Sequence, residues 1–339
     1  MGRSTYLNAV LCAALLYSAS VPAAFEAPSS GPITDSDPGP RPWDASVSLS
    51  YGRDSNVALV PEISSYTGTK DSGVMAINLS GVYRVVQSVD LTVGLTGAVS
   101  RAGYSEGKAP GDLDSPDEYD LTVYNTGIFV QRKLRLWKKP AQLGANYDYN
   151  QENLRIEDLA STNQRIGLNG SVQATPRLAF SAAYDYSDFE SDTDFPTPSL
   201  DSRDAKHQSL SVSAIYRLSG LRKIILTLAN TDNNAEGDNF DYDATVLGVR
   251  FETHVTGPVW LALGANMDMR DYKGFVSGFI PPPGRTDQDV MTYTAQLVWT
   301  ISRQLSADFY VDQTSYDANQ LEFEADRSKA GAAVTWKFK

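Results

Sequence analysis

From Trp43 onward, apolar and polar positions alternate in one segment after another. Met291 to Ser302 is the clearest case. Met291, Tyr293, Ala295, Leu297, Trp299 and Ile301 share one parity, and Thr292, Thr294, Gln296, Val298, Thr300 and Ser302 share the other. A period of two belongs to strands whose two faces meet different surroundings. Leu91, Val93, Leu95 and Val99 oppose Asp90, Thr92, Thr96 and Ser100 in the same way, and Leu143, Ala145, Tyr147 and Tyr149 oppose Gln142, Asn146, Asp148 and Asn150. About fourteen such segments are expected, over residues 43–57, 72–86, 89–104, 119–133, 140–152, 162–175, 177–189, 206–218, 222–231, 241–255, 258–272, 289–302, 304–315 and 326–338. Each is near the ~10 residues that a tilted membrane strand requires. In the fourth, the apolar parity changes between Val123 and Tyr124, which predicts a bulge.

The connections alternate between short and long. Gln87-Ser88, Leu136 to Lys139, Thr175-Pro176, Ser219 to Leu221, Thr256-Gly257 and Ser302-Arg303 are short; those centred on 58–71, 105–118, 153–161, 190–205, 232–240, 273–288 and 316–325 are long. Outer-membrane barrels have short periplasmic turns and long external loops, a rule that a soluble sandwich has no reason to obey. The expected fold is therefore all-β: a closed, antiparallel, up-and-down transmembrane β-barrel with both termini in the periplasm. Closure follows because hydrocarbon offers no partner to an open strand edge. Trp43, Tyr83, Tyr216, Trp299, Trp336 and Phe338 fall toward the periplasmic ends, and Tyr51, Tyr147, Tyr184 and Tyr293 toward the outer side, as aromatic girdles would. The polar parity places Asn78, Ser80, Arg84, Asn163, Arg165, Asn169, Gln173 and Lys329 on the lumen wall.

Composition narrows the function classes. The 339 residues carry 29 basic and 41 acidic side chains, a formal net charge of −12, which argues against nucleic acid as a partner. No apolar run reaches the ~20 residues of a membrane helix. Arg3, the apolar stretch Leu7 to Val21 and the small residues up to Ala23 read as a secretory signal over 1–23, with cleavage after Ala23 or Ala24. A Pro/Gly/Ser-rich leader, 24–42, precedes the barrel, 43–339. Two histidines and one cysteine, Cys12 in the signal segment, leave little material for metal or nucleophilic catalysis. His207, beside Asp204 and Ser209, and His254 match no hydrolase pattern. No enzyme activity and no cofactor are expected.

Three short motifs remain. Tyr51-Gly52-Arg53-Asp54-Ser55-Asn56-Val57, Tyr316-Asp317-Ala318-Asn319 and Arg327 resemble the strand ends of surface lipoprotein assembly modifier (Slam-type) barrels. The resemblance spans Trp43 to Lys339 and lacks that family's periplasmic helical-repeat domain. It implies a fourteen-stranded barrel that helps lipoproteins cross the outer membrane. Asp54, Ser55 and Asn56 also suit a self-capping turn at a strand exit. Lys329 to Phe338, with Gly331, Trp336 and Phe338, resembles the signal read by the barrel assembly machinery, although Lys339 follows the final aromatic. Asp232, Asn234, Glu236 and Asp243 have a calcium-loop spacing, without flanking helices. Acidic external loops suit solvation, or bridging by divalent cations to lipopolysaccharide phosphates. The loop Phe275 to Pro283 is apolar and stiff, and either folds into the mouth, meets a partner or is simply braced by proline. The basic turns, with Arg132, Lys133, Arg135, Lys138, Lys139, Arg222 and Lys223, suit lipid head groups or an acidic periplasmic partner. The expected function is a conduit for export or surface display of a lipoprotein or polysaccharide. A small-solute porin and a structural or adhesive barrel are the rivals.

Overall fold

The structure is a computed structural model, and it describes residues 41–56, 71–105, 120–155, 160–191, 202–237, 240–275, 285–318 and 324–338. The expected signal and nearly all of the expected leader, and residues 276–284 of the apolar loop, lie outside these. Fourteen strands follow in chain order: β1 (Trp43–Asp54), β2 (Ser72–Gln87), β3 (Leu91–Tyr104), β4 (Leu121–Leu136), β5 (Lys139–Leu154), β6 (Ser161–Gln173), β7 (Leu178–Ser191), β8 (Ala205–Ser219), β9 (Arg222–Ala235), β10 (Tyr242–Thr256), β11 (Val259–Phe275), β12 (Arg285–Thr300), β13 (Leu305–Ala318) and β14 (Ala325–Phe338). Each pairs antiparallel with its sequence neighbours, and β1 pairs with β14, so one sheet closes on itself. The alternation legible in the sequence thus becomes a barrel with no free edge, which hydrocarbon demands.

Register fixes the width. The offsets accumulated through the fourteen pairings return to β1 roughly 18 residues along the strand. Strands ~4.8 Å apart at the corresponding tilt of ~40° give a backbone diameter of about 28 Å.

The packing is that of a globular protein turned inside out. Large apolar side chains face outward, among them Leu49, Ile77, Leu79, Leu95, Ile128, Leu168, Val212, Leu226, Leu228 and Val311. The most buried side chains are polar or charged, Asp54 and Ser72 foremost. Trp43, Tyr83, Tyr216, Trp299, Trp336 and Phe338 are exposed on the outward face near the short-turn end, where both ends of the barrel chain also lie. From Trp299 up to the exposed Asp289, the outward parity of β12 covers ten residues, about 25 Å of height at that tilt. This matches the apolar band of an outer-membrane barrel.

Two expectations need correction. β4 has no bulge: its pairing to β3 and β5 is continuous. Its parity looked broken because Leu121, Val123 and Phe129 point inward while Thr126 and Arg132 point outward. Register shifts occur instead in β2, β8, β10 and β11. The strand limits also move. β9 runs on to Ala235 and β12 starts at Arg285, so residues expected in loops belong to the wall. The tight turn joining β4 to β5 is Trp137-Lys138, with φ of 48° and 68°. Two successive positive φ values suit the twist of a hairpin, although neither residue is the glycine or asparagine that favours them.

Candidate functional site

The inward parity lines a lumen with two unlike walls. β5 and β12 are seven strands apart in the ring of fourteen, so they face each other. On the first wall, β4 to β6 set inward residues side by side in register. Asn125 pairs with Asn150 and Asn150 with Asn163; Phe129 with Asn146 and Asn146 with Gly167; Gln131 with Gly144 and Gly144 with Asn169. The Asn125 amide donates to Asn150 Oδ1 at 2.6 Å, and Asn146 donates to Asp148. On the opposite wall, β10 to β14 carry Tyr242, Tyr272, Tyr310, Tyr316, Arg270, Arg327 and Lys329 inward, with Asp268 and Asp312. Tyr242 and Tyr272 have ring centroids 5.1 Å apart, and the Arg270 guanidinium lies 5.5 Å from the Tyr242 centroid.

Bare glycines decide how far these side chains reach into the lumen. A Cβ on Gly94 would lie 2.7 Å from two ring atoms of Phe129. One on Gly144 would lie 2.6 Å from Asn169 Oδ1, one on Gly167 2.4 Å from Asn146 Oδ1, and one on Gly331 2.6 Å from the Tyr310 hydroxyl. Each side chain therefore leans along the wall onto its neighbour's backbone and does not span the lumen.

Charge on the inner face is balanced locally. Arg84 pairs with Asp44 at 2.5 Å, Arg165 with Asp185 at 2.7 Å, Arg270 with Asp268 at 2.6 Å, and Lys223 and Arg250 both with Glu252, at 2.9 and 2.8 Å. Asp54 and Arg327 form the most buried pair, with side chains 1% and 4% exposed. Arg327 Nε donates to both Asp54 oxygens at 3.0 and 3.1 Å, and its Nη2 to Oδ2. Around this pair the Asp-Ser-Asn motif knits β1 to β14. The Asn56 backbone N–H donates to Asp54 Oδ1 at 3.2 Å, the Asn56 amide to the Asp326 carbonyl at 3.0 Å, and the Ser328 N–H to Ser55 Oγ at 2.8 Å.

The remaining candidates are placed as follows. Asn78, Ser80 and Arg84 sit on the inward parity of β2, with Ser80 Oγ 2.8 Å from Ser46 Oγ. Asn163, Arg165, Asn169 and Gln173 share the inward parity of β6, and Lys329 faces Asp312 in register across β13 and β14. Gly331 lies beneath Tyr310, and Trp336 and Phe338 point outward. Asp232 and Asp243 pair across β9 and β10 on the outward face, beyond the apolar band. Lys273 Nζ comes among them, 3.0 Å from Asp241, 3.5 Å from Asp232 and 3.6 Å from Asp243. Asn234 lies farther along β9 and Glu236 just past its end. Among the described residues, no group of three or more His, Cys, Asp or Glu side chains is arranged to hold a metal ion. His207 faces the lumen opposite Asn233, whereas Asp204 accepts from the Ser191 N–H at 2.7 Å and Thr231 donates to Ser209. His254 closes a turn on the Gly257 carbonyl and meets Trp260 edge-on, with centroids 5.2 Å apart.

A closed, wet-walled barrel with an apolar belt defines a membrane-spanning class of protein, and similar solved structures share that architecture. The deltaS2 mutant of the TodX monoaromatic hydrocarbon channel aligns at TM-score 0.52 and 11% identity, covering 88% of this chain and 90% of its own. OccAB3 of Acinetobacter baumannii aligns at TM-score 0.45 and 10% identity, over 87% of this chain and 99% of its own. A bacterial polysaccharide outer membrane secretin aligns at TM-score 0.47 and 8% identity, over 88% and 98%. No protein-family model matches the chain, and no curated protein matches it. At these identities the likeness establishes the barrel fold, shared with outer-membrane proteins.

Proposed function

We propose that this chain is a non-enzymatic outer-membrane conduit for hydrophilic cargo, with its short turns and both termini on the periplasmic side. One observation carries the reading: the inner wall is polar and charge-balanced, and its side chains lie along the backbone of neighbouring strands. A scaffold needs no such wall, since small barrels fill their interiors with packed side chains. Among the export readings, the wall favours a polysaccharide over a lipoprotein, because the described inward residues offer acyl chains no continuous apolar track. The paired charges favour cargo without strong net charge, for a wall of one sign would raise the local concentration of its counter-ion. At the short-turn end, Arg132, Lys138 and Lys139 stand exposed and suit anionic head groups or an acidic periplasmic partner.

The test is conductance in planar bilayers. Purified, refolded barrel is expected to give discrete, ohmic current steps that scale with salt concentration. Folded barrel that inserts without steps would overturn the conduit reading and favour a structural or adhesive role.

A further inference from the structure

The middle of the β4–β6 wall combines features that none of the ion pairs explains. Phe129 lies at mid-height on β4 with its ring over the bare backbone of Gly94, so it is held along the wall. Asn146 is its register partner on β5. One step toward the short-turn end, Gln131, Gly144 and Asn169 form the next inward row, and Gln142 follows on β5. The carboxamides of Asn169 and Gln142 have no hydrogen-bond partner among the described residues, and Asn169 is exposed to the lumen. Asn169 lies over the bare Gly144 and Asn146 over the bare Gly167, so the wall stays low here and makes a shallow trough paved by carboxamides.

We infer that this trough is a subsite for a neutral carbohydrate chain, a substrate class that deepens the conduit reading and rests on it. A carboxamide presents donors and an acceptor in one plane, so it satisfies a sugar hydroxyl that must both give and receive a hydrogen bond. Phe129 supplies an apolar plate for the C–H face of a pyranose ring. Of the charges around the trough, Asp148 is engaged by Asn146 and Arg165 pairs with Asp185, while Lys133, the register partner of Gln142, stands at its short-turn edge; the residues of the trough itself carry no charge. An acyl chain would leave the carboxamides of Asn169 and Gln142 unpaired against hydrocarbon, which is unfavourable.

The experiment uses the full barrel, purified in a detergent without a sugar head group. Maltohexaose, a polyethylene glycol of equal length and hexagalacturonate are each titrated by ligand-observed NMR, and on reconstituted channels by current interruption. Saturable binding of maltohexaose is expected, at least tenfold stronger than that of the glycol. Asn169→Leu and Phe129→Ala are each expected to weaken it at least fivefold. Asn266→Leu, on the facing wall, should leave it unchanged. Urea midpoints of all variants report whether the barrel is intact; if Phe129→Ala unfolds, Asn169→Leu and Gln142→Leu carry the comparison. Equal response to maltohexaose and glycol, preference for hexagalacturonate, or unaltered binding in the variants overturns the subsite. The two readings fail separately: a barrel that binds maltohexaose without conducting refutes the conduit, and one that conducts without binding refutes the subsite.

Discussion

Replacing Arg327 with Met strips the seam between β1 and β14 of its central cation. Asp54 would then keep a carboxylate that is 1% exposed, with one donor among the described residues, the Asn56 backbone N–H, left to it. Removing one member of a buried pair leaves its partner's charge uncompensated, which destabilises by about 3–5 kcal/mol. That is about two to four factors of ten in the folded-to-unfolded ratio. The assay is urea unfolding in detergent micelles, followed by tryptophan fluorescence and by the gel mobility of the closed barrel. The control is Arg53→Met, which breaks an outward pair with Asp71 whose side chains are 68% and 42% exposed. An exposed pair of that kind contributes at most about 1 kcal/mol. Asp54→Asn combined with R327M should recover part of the loss, because the orphaned charge goes with its partner. Equal shifts for R327M and R53M, or a double variant no better than R327M alone, would refute the reasoning.

Other changes test other parts of the wall. Gly331→Val should lower stability by about 1–3 kcal/mol in the same urea assay, since its Cβ would lie 2.6 Å from the Tyr310 hydroxyl and 2.7 Å from the Tyr51 carbonyl oxygen, and the backbone cannot give way. Leu226→Arg on the lipid face should cost about 2–4 kcal/mol, whereas Thr227→Arg, one residue on and facing the lumen, should be nearly neutral in stability while altering conductance. Trp137→Asn with Lys138→Gly should raise the urea midpoint by about 1 kcal/mol equivalent, as both positions hold positive φ. Lys273→Met should leave three neighbouring carboxylates without their shared cation, and its small destabilisation should shrink as salt rises.

Much of the fold is legible in the chain because each strand reads out its own two faces. β5 does so over residues 142 to 150, and β12 does so apart from Val290 and Val298, which share its inward parity; the alternation of loop lengths then orders them. β4 hides its parity: Phe129 faces inward for a reason that resides elsewhere, the missing side chain of Gly94 on β3. The same limit applies to Asp54 and Arg327, separated by 273 positions and joined only once the barrel closes. The strand-end motif announces a local turn, and the Asn56 bond to Asp54 is such a turn, but nothing local tells that Ser55 and Asn56 also reach β14. The calcium-like spacing treats Asp232 to Asp243 as one loop. In space the two ends of that stretch belong to β9 and β10, with Asp232 and Asp243 paired in register, and Lys273 arrives from β11 between the carboxylates. The carboxamides of β4 to β6 are visible as polar parity, whereas the trough depends on which of them lies over a glycine of the next strand.

Site-directed labelling along β12 tests the two-faced wall most directly. In a background with Cys12 replaced, single cysteines are placed in turn at 291 to 298 and the barrel is reconstituted in liposomes. Positions 292, 294, 296 and 298 should react with a membrane-impermeant maleimide and ignore a lipid-borne quencher, while 291, 293, 295 and 297 should do the reverse. Uniform reactivity along the strand, or the opposite parity, would contradict a barrel with a wet interior and a greasy exterior.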